Sequence, residues 1–364
     1  MDDHNFLGRG GYGTVVKRGN IAVKKLKQLN HLIQEYCVGL HLNSCPYIVK
    51  IVGADFENLE IHMKLYNGSL NQWILESRSF EQKLKVLREI LYALCWINDM
   101  GLVHGDIKPG NILANWDKKG NVEKLVLGDV GFLSTENYSK CVRTTRTYQE
   151  KSPESDWKHD IYSLGIIVTE FFGNTRVASK EMIRNKEIPS PDHARSIAKE
   201  KIKDENILKW VIKMLNDDRE ERPTARSLLK NLFDETPMIQ FHPGICKKKN
   251  KINEKDLEEI LCFFKTNLVI DGREIIIKRT KIAFEAFLIY IDKNNIAKSD
   301  YMFFANCILI IFSSLFGKSG YTDKIVSKKF KITERTVHRT IYRIINEEEV
   351  LNAIFYTKKG CISS

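Results

Sequence analysis

The stretch "LVHGDIKPGNIL", Leu102 to Leu113, decides how the rest of the chain is read. One short loop carries a histidine (His104), a carboxylate (Asp106), an ammonium (Lys108) and a carboxamide (Asn111), with Gly105 just before the carboxylate. Asp106 can accept or orient the proton of a hydroxyl, Lys108 can neutralise anionic charge that moves during a transfer, and Asn111 can hold a metal ion. The close spacing matters because a single rigid loop then presents all three groups to one reacting centre.

Toward the N-terminus, "GRGGYGTV" places Gly8, Gly10 and Gly13 in a G-x-G-x-x-G-x-V pattern ahead of the strand-like "TVVK". Glycines let backbone approach triphosphate oxygens that side chains would block, and here they lead into a strand rather than the helix of a dinucleotide fold. Next, "IAVKK" offers Ala22 and Lys24, a lysine able to reach the α- and β-phosphates. Such a lysine needs a carboxylate to hold it. Glu35 is the sole acidic residue between Lys24 and Asp55, so it is chosen by elimination; a solvated place on its helix is the alternative. Beyond the quoted loop, "LVLGDVGF" supplies Asp129 before Gly131, suited to chelating Mg2+.

The surrounding chain is globular in composition, with 43% hydrophobic residues over 364 positions. Its 8 cysteines include no C-x-x-C pair, which argues against a zinc ribbon or disulfide framework and for reduced thiols in an intracellular, cytoplasmic or nuclear setting. The N-terminus shows no secretory signal pattern. The apolar run Tyr301 to Gly317 is expected to be a buried core helix and not a membrane span, since it is marginal in length and carries Asn306, Ser313 and Ser314. A net charge of +11 favours acidic partners.

Short Val- and Ile-rich runs, "GTVVKRG", "NIAVKKL", "YIVKIVG" and "LEIHMKL", predict a small sheet. From Phe80, the spacing of Leu84, Leu87, Ile90, Leu91, Leu94 and Ile97 predicts a helix with one apolar face, opening a helical region that reaches about Phe233. Residues 1–240 therefore form one unit, 241–252 a basic linker, and 253–364 a second unit. Helices are expected there over Asn253–Asn267, Thr280–Lys293, Asp300–Phe316, Thr322–Phe330 and Glu334–Glu347.

Taken in this order, the motifs resemble those of the eukaryotic protein-kinase family over residues 8 to about 235. Later landmarks are similar too: "SPE" (Ser152–Glu154) for A-P-E, "HDIYSLG" for D-x-W-S-x-G, and "ERPTA". The resemblance implies an α+β, bilobal protein-kinase fold, with a small antiparallel sheet in the N-lobe and a helical C-lobe, followed by an all-α C-terminal domain. It implies ATP and Mg2+ as cofactors and proteins as substrates. Gly8, Gly10, Gly11, Gly13, Val15, Ala22 and Lys24 would bind the nucleotide. Asp106, Lys108, Lys24 and Glu35 would be catalytic, with Asn111 and Asp129 on the metal. Asp160 would brace the catalytic loop, and Arg222 would pair with Glu154. Lysine two positions after Asp106, and threonine ahead of "SPE", resemble serine/threonine rather than tyrosine kinases.

Several positions depart from the family pattern. Gly105 stands where the family carries an arginine that receives an activation-loop phosphate, so phosphorylation at Thr144, Thr145 or Thr147 would lack its receptor. "HGDIK" resembles the loop of the vaccinia-related kinases, and the minimal N-lobe is similar to kinases of large DNA viruses. Val130 replaces a phenylalanine, and the interval from Lys24 to Glu35 is short. An active enzyme is expected, with a kinase-like scaffold as the other reading. Thr145 or Thr147 is placed to contact Asp106 and Lys108.

The C-terminal helix series resembles a cyclin box, the unit shared by cyclins and transcription factor IIB. On that reading it would dock in cis against the helix bearing Glu35. Its last pair also reads as a DNA-binding helix-turn-helix, with Thr333 as N-cap, Arg335, Arg339 and Arg343 on one face, and Val337, Ile341, Ile344 and Ile345 as a core stripe. A protein partner, internal or separate, and a nucleic acid are thus both open; a membrane is not expected.

Overall fold

Five strands form an antiparallel sheet near the N-terminus: β1 (Phe6–Arg9), β2 (Gly13–Arg18), β3 (Ile21–Leu26), β4 (Ile51–Asp55) and β5 (Glu60–Lys64), in the order β1-β2-β3-β5-β4. The computed structural model describes residues 5–10, 13–72, 74–130, 134–135, 146–150, 156–237, 254–267, 273–294, 296–316 and 322–355. The β2–β3 hairpin turns at Gly19, whose φ of 60° is one that L side chains avoid. Its register sets Val15 opposite Lys24 and Lys17 opposite Ala22. Between β3 and β4 runs α1 (Leu29–His41), which buries Leu32, Ile33, Glu35, Tyr36, Cys37, Val38 and Gly39.

The helical lobe opens with α2 (Phe80–Asp99), N-capped by Ser79, whose hydroxyl accepts from the Gln82 N–H at 3.3 Å. Its expected apolar face is buried at Leu87, Ile90, Leu91, Leu94 and Ile97. Short strands then build the cleft floor: β6 (Gly68–Ser69), β8 (Ile112–Trp116) and β9 (Val122–Leu127) in the order β6-β8-β9, and β7 (Leu102–Val103) against β10 (Ser134–Thr135). Below them α3 (Trp157–Gly173) is buried along nearly its whole length, which suits its apolar-all-round sequence. Helices α4 (Lys180–Asn185), α5 (Pro191–Lys201), α6 (Glu205–Met214) and α7 (Ala225–Phe233) complete the lobe.

The last third is helical: α8 (Glu254–Asn267), α9 (Arg273–Asn294), α10 (Tyr301–Phe316), α11 (Asp323–Phe330), α12 (Glu334–Ile345) and α13 (Glu348–Phe355). α10 is the buried axis, with α8, α9, α11 and α12 around it. The Ser313 and Ser314 hydroxyls donate to the Leu309 and Ile310 carbonyls at 2.6 and 2.8 Å, so these polar groups are satisfied within the helix. Among the described residues, no helix is long and apolar enough to cross a membrane. Two expectations are corrected. α9 begins at Arg273 rather than Thr280, and α13 was not foreseen, although Val350, Leu351, Ile354 and Phe355 form its buried stripe.

These helices dock on the N-terminal sheet and α1. α10 and α13 pack along α1. The Tyr36 hydroxyl donates to Asn346 Oδ1 at 3.0 Å, and its ring stacks on Tyr342 at 6.1 Å. Tyr342 also meets Phe56 edge-on at 5.3 Å, and His41 stacks on Phe355 at 4.2 Å. His338 lies between the Phe56 carbonyl oxygen (3.0 Å) and Asp323 Oδ2 (2.7 Å). Thr333 caps α12 as expected, and Val337, Ile341, Ile344 and Ile345 are buried. Two of the three arginines on the face read as DNA-contacting turn to Glu57 in the β4–β5 turn, Arg339 at 2.6 Å and Arg335 at 3.8 Å.

Candidate active site

The β8–β9 ladder positions the two expected metal ligands. Ile112 pairs with Leu127, and the Gly128 N–H extends the ladder by donating to the Asn111 carbonyl at 2.7 Å. Asn111 and Asp129 therefore emerge at the same end of one hairpin. Asp129 sits at φ 57°, a left-handed backbone that turns its carboxylate toward Lys24. Asn111 Nδ2 donates to the Asp106 backbone oxygen (2.8 Å) and to Asp106 Oδ2 (3.1 Å). Its Oδ1, a hard donor, takes part in no hydrogen bond among the described residues.

The quoted loop is braced from below. Asp160, on α3, accepts from the backbone N–H groups of His104 (2.7 Å) and Gly105 (2.8 Å). His104 Nδ1 accepts from the Asp106 N–H at 3.3 Å, which leaves Nε2 to donate to the Gly128 carbonyl at 3.0 Å. One imidazole thus joins the Asp106 loop to the strand end bearing Asp129. Gly105 has φ 75°, so the residue that departs from the family pattern occupies backbone that an L side chain disfavours. Lys108 Nζ reaches Asp106 Oδ2 at 2.6 Å.

Above the loop, Lys24 Nζ donates to Glu35 at 2.7 and 2.8 Å and to Asp129 Oδ1 at 2.6 Å. Burial alone would lower the Lys24 pKa, but the two carboxylates outweigh it and raise the ammonium above its ordinary value. For Asp129 burial pushes upward, and Lys24 outweighs it to hold the carboxyl below the usual range. Lys24 and Glu35 are buried, their side chains 11% and 3% exposed, whereas that of Asp129 remains 26% exposed. Val130 is buried beside α1.

The other expected residues take differing places. Ala22 is buried and Val15 half-buried on β3 and β2. A Cβ added at Gly8 or Gly10 would meet nothing within 4 Å, so backbone there borders open space. At Gly13 a Cβ would stand 2.2 Å from the Lys25 carbonyl oxygen, so hairpin closure itself requires that glycine. Gly11, Thr144, Thr145 and Ser152–Glu154 lie outside the described residues. Thr147 makes no hydrogen bond to Asp106 or Lys108 there. The expected partner of Arg222, Glu154, lies outside the described residues; among those described, Arg222 Nη1 bonds Glu150 Oε2 at 3.0 Å, and Glu150 also meets Arg219 and His159 at 3.3 Å each. Nearby, the Tyr148 hydroxyl donates to Glu170 Oε2 at 3.0 Å.

The donor set fits a magnesium nucleotide. No cluster of three or more His, Cys, Asp or Glu side chains among the described residues could hold a metal unaided. Mg2+ does not need one, because it binds through one or two protein oxygens and completes its shell with phosphates and water. Asn111 and Asp129 could hold that ion, and Lys24 could meet phosphate oxygens.

Several curated proteins are similar to this chain. The interferon-induced, double-stranded RNA-activated protein kinase of Mus musculus is 27% identical over 271 residues, covering 64% of this chain and 51% of that protein. The serine/threonine-protein kinase SBK1 of Danio rerio is 27% identical over 189 residues, 44% of this chain and 48% of its own. The serine/threonine-protein kinase cst-1 of Caenorhabditis briggsae is 31% identical over 185 residues, 45% of this chain and 37% of its own. The chain thus spans about half the length, or less, of these curated relatives. The family profile described as "Protein kinase domain" matches residues 1–233, the same span that holds the sheet, the braced loop and the Lys24–Glu35–Asp129 cluster, and by that match the chain belongs to the protein kinase family.

Proposed function

We propose that the chain is an ATP- and Mg2+-dependent serine/threonine protein kinase whose C-terminal helices hold α1 in its working position. The observation that carries the reading is the Lys24 ammonium bonded to both Glu35 and Asp129, with Asp106, Lys108 and Asn111 tied together below. When bound, Mg-ATP supplies the transferable γ-phosphoryl group and the metal charge that neutralises its oxygens. Lys24 would orient the phosphates, and Glu35 would keep its ammonium aimed. Asp106 would align a substrate hydroxyl and take its proton, while Lys108 would offset the developing charge. Lys108 two places after the base supports serine or threonine as acceptor.

Gly105 fits an enzyme that works without an activation-loop phosphate. The Asp160 bonds and the His104 bridge already order the loop that such a phosphate would otherwise order. The docked helices supply a second source of order by covering the outer face of α1.

Phosphotransfer from labelled ATP to a generic basic protein, followed by analysis of the labelled amino acid, tests the activity. Wild type is expected to label serine and threonine. Asp106→Asn should fall by about 10²- to 10⁴-fold, the usual contribution of a positioned proton acceptor. Equal labelling by both proteins, or none by wild type, would assign the chain to the kinase-like scaffolds.

A further inference from the structure

His338, on α12, is an imidazole set between two acceptors. Its Nδ1 lies 3.0 Å from the Phe56 carbonyl oxygen in the β4–β5 turn, and its Nε2 lies 2.7 Å from Asp323 Oδ2 at the start of α11. The residue is 9% exposed, so water cannot readily replace either partner. A neutral imidazole carries a single N–H and serves a single acceptor. A carbonyl never donates, so Nδ1 holds a proton, and the second contact needs another, on Nε2 or on Asp323. Either way, the pair carries one proton more than a neutral ring beside a carboxylate. The hydrogen bond from His338 holds the Asp323 carboxyl below its usual range, which leaves that proton on the ring.

The other charged groups around the ring are largely balanced or exposed. From the β4–β5 turn, Glu57 meets Arg339 at 2.6 Å and Arg335 at 3.8 Å, and Asp55 accepts from the N–H groups of its own turn. Glu334 on α12 and Lys324, Lys328 and Lys329 on α11 are exposed. α10, packed on α12, carries no charged residue, and Tyr301 and Cys307 are its titratable groups; α13 carries Glu348 and Glu349.

We propose that His338, clamped between Phe56 and Asp323, is a proton-fastened latch that closes the C-terminal helices on the N-terminal sheet and loosens as pH rises, with phosphotransfer following it. The last part rests on the function proposed above, in which the docked helices hold α1. A proton bound in the docked form and released on opening stabilises docking fully below the ordinary histidine value of about 6.5, and the stabilisation is lost as pH rises beyond it. Asp323 has the reverse sense: held below its ordinary 3.8, it adds stability that is lost only in strong acid. His41, buried against Phe355, is docked in its neutral form, so it limits the interface from the acid side while His338 limits it from the alkaline side.

Full-length wild type, His338→Gln and Asp323→Asn are compared between about pH 6 and pH 8.5. At about pH 7, where an ordinary histidine is mostly neutral, the nitrogen-15 shifts of the wild-type His338 ring should show both nitrogens protonated. Exchange protection of the α12 amides, corrected for the intrinsic effect of pH, should fall in wild type as pH rises, by at most about tenfold per pH unit, the limit for one proton. In Asp323→Asn the carboxamide can donate to Nε2 of a neutral ring, so protection should stay level. His338→Gln should be level too, and below wild type at about pH 6. The kcat of wild type relative to Asp323→Asn should fall in step with α12 protection. A singly protonated ring at about pH 7, or wild-type protection parallel to that of Asp323→Asn, overturns the latch, and the ring shifts decide it alone if the variants do not accumulate. A constant kcat ratio beside diverging protection overturns its control of phosphotransfer. Absence of transfer in wild type at every pH would defeat the kinase reading instead, while the shifts and the exchange still decide the latch.

Discussion

Glu35 and Tyr36 are neighbours on α1 and are bound to different elements: Glu35 holds Lys24 of β3 at 2.7 and 2.8 Å, and Tyr36 donates to Asn346 at the end of α12 at 3.0 Å. Successive residues project about 100° apart around a helix, so a rotation that breaks one bond strains the other. α1 thereby joins the buried ion pair to the C-terminal helices, and the activity of one domain is expected to depend on the other.

Replacing Lys24 removes the only ammonium bonded to Glu35 and Asp129 among the described residues. Lys24→Met should lower phosphotransfer by about 10²- to 10³-fold, typical for loss of one preorganised donor. Lys24→Arg should rescue little, since a planar guanidinium cannot take the place of a compact ammonium between two carboxylates. Initial rates with labelled ATP check both.

Gly105 should resist substitution for reasons of backbone geometry. At φ 75° an alanine carries a left-handed penalty of about 1–2 kcal/mol. Gly105→Ala is expected to lower the urea midpoint accordingly, and Gly105→Arg to do the same without creating dependence on activation-loop phosphorylation. An unchanged midpoint in both would show that the loop relaxes to another conformation.

Glu150 and Arg222 form a buried pair, with side chains 9% and 2% exposed. Breaking such a pair by removing one partner leaves an uncompensated charge and costs about 3–5 kcal/mol. Arg222→Met should therefore destabilise the folded chain by that amount in denaturant unfolding. Glu150→Gln should do so less severely, because its amide can still hydrogen-bond to Arg222.

His41 makes the docked state sensitive to acid. Burial pulls its imidazole from the ordinary 6.5 to about 3. A lowered histidine pKa means that folding favours the neutral form. The stabilisation is complete above pH 6.5 and is lost as pH falls from 6.5 toward 3, at up to about 1.4 kcal/mol per pH unit. Between pH 7.5 and 5.5 wild type should lose roughly 1 kcal/mol more stability than His41→Phe, which keeps the stack on Phe355. Parallel pH profiles of unfolding in the two proteins would contradict the assignment.

Much of this site was legible because its parts are local. His104, Asp106, Lys108 and Asn111 lie within one loop, and the spacing that suggested them is the spacing that lets Asn111 bond Asp106. Glu35 emerged by elimination, since so few carboxylates follow Lys24. The Arg222–Glu150 bond marks the limit: a long-range ion pair has no periodicity, and the segment between Asp129 and Trp157 carries three glutamates, Glu136, Glu150 and Glu154. The α12 stripe and N-cap were readable as a helix pattern. Its destination was not, because nothing local in the sequence links Arg339 to Glu57 or Tyr342 to Phe56 across nearly the whole chain.

The dependence of Glu35 on the docked helices is tested most directly by weakening that contact without touching the cleft. In the full-length chain, Tyr342→Ala combined with Asn346→Ala removes the stack on Tyr36 and Phe56 and the acceptor of the Tyr36 hydroxyl. Coupling between sites is typically worth about 1–3 kcal/mol, so kcat should fall roughly 5- to 150-fold, with α1 amides exchanging faster and the α2 and α3 amides unchanged. Wild-type kcat together with faster α1 exchange would show that the C-terminal helices cover α1 without controlling the Lys24–Glu35 pair.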